Sequence, residues 1–122
     1  MDKSELKLRT KAFGLRVLKL VRNLPSDVPG KVVAHQLTHS GLSVGANYRS
    51  ACRARSRAEF LSKLSIVLEE ADESCHWLEI IVDDSMLPKS KVSALLQEGN
   101  ELTAIFFTAT TSIRSGKTLP KS

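Results

Sequence analysis

The chain has 122 residues, the size of one domain, with 42% apolar and 25% charged residues. That composition excludes chain-wide disorder and fibrous repeats, and the two cysteines, Cys52 and Cys75, exclude a disulfide scaffold. Eighteen Lys+Arg against 13 Asp+Glu give a net charge of +5, split as +9 over residues 1–63 and −4 over residues 64–122.

Four apolar-periodic segments follow one another. In the first, from about Ser4 to Asn23, Leu6, Phe13, Val17, Leu20 and Leu24 recur at helical spacing. Leu24-Pro25 ends it, because a proline disfavours helical geometry in the residue before it. Ser26 or Asp27 then caps a second helix that tolerates Pro29 in its first turn. Its stripe is Val33, Leu37, Val44, Tyr48 and Ala51, with Ser40 in the missing turn. Beside that stripe runs a row of small residues, Ala34, Thr38, Gly41 and Gly45. Two glycines inside a helix cost about 1 kcal/mol each, so the row predicts a close approach by another helix.

Ser56-Arg57-Ala58-Glu59 has the form of a capping box and opens a third helix. Phe60, Leu64, Val67, Leu68, Ala71, Cys75, Leu78 and Val82 form its stripe. Pro88 suits the first position of a fourth helix, where Val92, Leu95, Leu96, Gly99, Leu102, Phe106, Ala109 and Ile113 keep the period. Threonines from Thr103 to Thr111 raise strand propensity, yet the unbroken phase favours helix. Four long helices joined by short breaks predict an all-α, antiparallel up-down four-helix bundle, a single domain over 1–114 with a flexible tail over 115–122. Three helices plus a hairpin is the alternative.

No apolar run reaches the roughly 20 residues of a membrane span. The start Met1-Asp2-Lys3-Ser4-Glu5 lacks the apolar centre of a secretory signal, so a cytoplasmic protein is expected, with no membrane partner. Catalytic and ligand motifs fail on inspection. His35 and His39 have metal-ligand spacing, but Gln36 stands where a zinc protease needs glutamate, and no third ligand has diagnostic spacing. Gly116-Lys117-Thr118 imitates a phosphate loop without its first glycine, replaced by Thr111, or its following helix. Cys52 has no motif around it, Cys75 lies on an apolar stripe, and Ser43 and Ser74 lack a recognisable base. The expectation is no enzyme, no metal, no cofactor and no small-molecule substrate.

The basic cluster carries more. Arg49, Arg53, Arg55, Arg57 and Lys63 straddle the second interhelix break, with Glu59 as the local acid. Guanidinium groups suit phosphates, which supply most non-specific nucleic-acid affinity. With aromatics at 5%, no stacking platform for single strands is evident. Trp77, Ile80 and Ile81 lie beside the stripe of the third helix, and Ile105 and Phe107 beside that of the fourth. This apolar excess predicts self-association.

Ser43-Val44-Gly45-Ala46-Asn47-Tyr48-Arg49, Ser56-Arg57-Ala58-Glu59-Phe60, Leu64-Ser65-Ile66, Glu69-Glu70-Ala71-Asp72-Glu73-Ser74 and Trp77-Leu78-Glu79 form a distinctive set over the second and third helices. Together they resemble the 23S rRNA intervening-sequence proteins, a family also labelled as a ribosomal protein. The Ala-Glu-Gly more usual after the asparagine is replaced by Tyr48-Arg49-Ser50, the mark of a variant branch. The resemblance implies an antiparallel bundle assembling into a homopentameric ring, with RNA or DNA binding as the usual proposal for its role. A related bundle assists a diversity-generating reverse transcriptase, which makes a protein–protein scaffold the alternative. Between the second and third helices, a structural polar network of Asn47 and Arg49 with Glu70, Asp72 and Glu73 is expected.

Overall fold

The computed structural model describes residues 1–116; residues 117–122, which include most of the expected tail and Lys117-Thr118, lie outside the described residues. Four helices follow in order: α1 (Lys3–Val21), α2 (Val28–Ala51), α3 (Arg57–Asp83) and α4 (Lys89–Arg114). No strand occurs among the described residues, so the threonines of α4 are helical. At 1.5 Å per residue the 27 residues of α3 extend about 40 Å. None of these helices is long and apolar enough to cross a membrane.

Local chemistry sets the helix ends. Asp27, not Ser26, caps α2, its Oδ1 accepting from the Gly30 amide at 2.9 Å. Ser56 caps α3 by accepting from the Glu59 amide at 3.0 Å, as the capping-box pattern predicts. Pro88 precedes the first turn of α4 as its cap residue instead of opening it. Ser85 adopts a left-handed φ of 58°. The Met86 amide then reaches back to the Ile81 carbonyl at 2.9 Å and closes the end of α3.

The helices form a square in which α1 touches α2 and α4, and α3 touches α2 and α4, while the diagonal pairs do not meet. Phe13, Val17, Leu37, Val44, Val67, Leu78, Ile81, Val92 and Leu102 are fully buried at its centre. The predicted stripes therefore face inward. Ile81 belongs to the core, not to an outer surface, and Trp77, Ile80 and Ile105 are half-buried against it. The large apolar residues left outside include Leu8, Leu15, Leu42, Ile66 and Phe107.

The small-residue row of α2 meets α1. A Cβ on Gly41 would lie 2.8 Å from a Val17 methyl, and one on Gly45 would lie 3.3 Å from the backbone of Thr10 and Lys11. Gly41 packs on a buried side chain and Gly45 on backbone, which is why neither position carries a side chain.

Candidate nucleic-acid interface

Antiparallel packing brings four helix ends to one end of the bundle: the start of α1, the end of α2 and the start of α3 with the turn between them, and the end of α4. The Arg53 amide bonds to the Ser50 carbonyl and the Ala54 amide to the Ala51 carbonyl, each at 3.0 Å, so α2 tightens as it ends. Arg53 and Arg55 leave that turn exposed. Arg55 Nε is 3.9 Å from Glu59 Oε2 and its side chain is 90% exposed, an ion pair of little energetic weight. Arg57 Nη2 donates to the Ile113 carbonyl at 3.4 Å, tying the turn to the last turn of α4. Lys63 is half-buried nearly two turns further along α3.

Two cations from other segments join them, and neither was legible as part of the cluster. Lys3 Nζ stands 5.3 Å from the centre of the Phe60 ring. Arg114 Nη2 donates to Ser65 Oγ at 3.2 Å. Only the fold brings residues 3, 53–63 and 114 to one end.

Arg49 departs from this group. It lies with Arg53 along a groove of about 570 Å³ between α1 and α2, whose other cations are Lys7 and Lys11. Leu8, Leu15 and Leu42 line the same groove, and no acid does. A second cleft, about 460 Å³, opens between α1 and α4 over Leu6, Tyr48, Phe60 and Phe106. The Tyr48 and Phe106 rings stack tilted there with centroids 5.4 Å apart. Burial, with Cys52 beside it, raises the Tyr48 hydroxyl well above its ordinary pKa.

The expected network between α2 and α3 is not assembled in the single chain. Asn47 Nδ2 donates to the Ser43 carbonyl of its own helix at 2.8 Å. Arg49 is exposed on the α1 side of α2, and no ion pair among the described residues joins it to Glu70, Asp72 or Glu73. Asp72 and Glu73 are exposed. Glu70 keeps Oε2 buried without a hydrogen-bond partner among the described residues. Burial first, and Glu73 and Glu69 after it, raise the Glu70 pKa, while His39 opposes the shift. The physical reason is register: the buried polar link between these helices falls on Ser74 Oγ and Ser40 Oγ, 2.9 Å apart. Nothing in the pattern marked that hydroxyl pair beyond the position of Ser40 in a core stripe.

Arg9 carries the polar link that sequence reasoning missed. Its Nε and Nη2 each lie 2.7 Å from a Glu98 carboxylate oxygen, and Nη2 also lies 3.0 Å from Glu101. This bidentate clamp joins α1 to α4 across 89 residues and raises the Arg9 pKa further.

His35 and His39 are both exposed on α2, whereas Cys75 is buried against α4, with Sγ 3.8 Å from Thr103 Oγ1. Burial raises the Cys75 pKa, which keeps the thiol protonated. Among the described residues no three His, Cys, Asp or Glu side chains are grouped to hold a metal ion.

Residues 3–107 match the model of the 23S rRNA-intervening sequence protein family. The chain belongs to that family. It is similar in structure to a protein of unknown function from the S23 ribosomal protein family of Bacteroides thetaiotaomicron. The TM-score is 0.82 at 29% identity, covering 91% of this chain and 99% of that one. No functionally curated protein matches the chain.

Proposed function

We propose that this protein is a non-enzymatic bundle that assembles into a homopentameric ring and binds RNA through the basic end of each subunit. The observation that carries the reading is the convergence of Lys3, Arg53, Arg55, Arg57, Lys63 and Arg114 on one end. Recognition there is of phosphates: Phe60 at this end is half-buried with Lys3 over its ring. A ring multiplies a weak contact, because neighbouring subunits engage the same polyanion at high effective concentration. Arg49 belongs to the flank of this end, not its centre.

Replacing Arg55 and Lys63 together by Gln tests the reading, since Arg57 also serves the fold through Ile113 and Arg53 also lines the α1–α2 groove. Affinity for a short RNA duplex is expected to fall, and the log–log salt slope to flatten by about 2. The mass of the assembly should stay unchanged. RNA affinity equal to wild type would overturn the proposal, and equal loss for a DNA duplex would widen its ligand to nucleic acid in general.

A second reading, a protein-contact scaffold, is favoured by a separate observation. Leu8 and Leu15 are 71% and 57% exposed inside the cationic α1–α2 groove. Phosphate binding makes no use of them.

A further inference from the structure

The square arrangement puts the α1–α2 edge and the α3–α4 edge on opposite sides of the molecule. These edges differ in sign. The α1–α2 groove carries Lys7, Lys11 and Arg49 around exposed Leu8, Leu15 and Leu42, with no acid in its lining. On the other side, Ser65, Asp72 and Glu79 follow at steps of seven along α3 and so share a stripe. Arg114 reaches Ser65, which fixes that stripe as the one beside α4. Phe107 is seven residues before Arg114 on the facing stripe of α4 and is 61% exposed. Asp72 and Glu79 are exposed as well and make no ion pair among the described residues. The α3–α4 edge is therefore an exposed aromatic beside free carboxylates.

We infer that the α1–α2 groove of one subunit receives the α3–α4 edge of a second copy, head to tail. Phe107 would cover the leucines, and Asp72 and Glu79 would face Lys7, Lys11 and Arg49. The two edges are different surfaces on opposite sides, so the contact is heterologous and repeats from subunit to subunit until the rotation closes. Like charges on the two edges would oppose the contact, which sets both partner and direction. The inference rests on the oligomer proposed above and names the two faces that build it. It also separates most of the cations: Lys7, Lys11 and Arg49 serve assembly, Arg53 stands where the groove meets the end, and Arg55 lies outside the groove and exposed.

Charge reversal tests this, with mass read by sedimentation and folding by helicity. Lys7→Glu with Lys11→Glu, and separately Asp72→Lys with Glu79→Lys, should each reduce the assembly to single subunits of unchanged helicity. All four changes in one chain restore opposite signs across the contact, and the wild-type mass should return. Mixing the two disrupted proteins should give mixed dimers and open chains, because strictly alternating subunits cannot close a ring of five. If both two-site variants keep the wild-type mass, these faces are not the interface, although the oligomer stands. If the four-site chain stays a single subunit while wild type assembles, charge pairing across these edges is refuted. A wild-type protein that is a single subunit at every concentration overturns this inference and the oligomer together.

Discussion

Helix α1 is held on its two sides by different physics. Against α2 it packs closely, with Gly41 and Gly45 clearing space for Val17, Thr10 and Lys11. Against α4 contact is slighter, a cleft opens over Leu6 and Phe106, and the Arg9 clamp on Glu98 and Glu101 spans the gap. Dispersion over a close-packed seam is insensitive to salt and intolerant of added volume. A charged clamp across a looser seam tolerates volume and depends on its partners. One helix is thus fixed rigidly on one side and more loosely on the other.

The largest effect should come from filling the tight seam. Gly41→Val places methyl groups where a Cβ alone already lies 2.8 Å from fully buried Val17. Destabilisation of about 3 kcal/mol is expected by urea unfolding, and a loss under about 1 kcal/mol would mean that the helices separate easily. Arg9→Ala should cost less, about 2 kcal/mol, because the Arg9 side chain is 23% exposed and Glu98 16% exposed. Arg9→Lys should recover only part of that loss, since an ammonium cannot bind Glu98 through two nitrogens. Full recovery would reduce the clamp to simple charge attraction.

Gly14→Ala probes the edge of the same tight seam. The new methyl would meet the Leu42 side chain at 3.3 Å, and that side chain is 43% exposed and free to yield. The helix-propensity gain of up to about 1 kcal/mol should offset the crowding, leaving stability within about 0.5 kcal/mol of wild type. The smallest effect concerns Glu70. Its pKa is raised in the folded state, so folding disfavours the charged form. The penalty is full above the raised pKa and disappears as pH falls through it and the ordinary carboxylate range. Glu70→Gln should therefore raise Tm slightly at neutral pH, with the gain closing in acid. A fall in Tm at neutral pH would show that the carboxylate has a stabilising partner.

What could be read from the sequence follows the same division. The α1–α2 seam was legible because close approach leaves a local trace, small residues at helical spacing. The inward stripes were legible for the same reason, and so was the Ser56 cap. The Arg9 clamp left no trace, since Arg9 and Glu98 are far apart in the chain and neither sits in a motif. The side-chain pairing between α2 and α3 was not legible, because helical phase does not reveal the rotation of one helix against the next. That rotation put Ser40 and Ser74 in contact. The basic cluster was half legible: Arg53 to Lys63 stand together in sequence, but Lys3 and Arg114 reach them only through the fold.

The salt dependence of RNA binding by the wild-type protein tests the central proposal most directly. With about four cations per subunit on phosphates, affinity for a short RNA duplex should weaken about 100-fold as salt rises from 50 to 200 mM. The assembly should keep its mass across that range. Binding that ignores salt, or none at low salt, would contradict a basic end that grips phosphates.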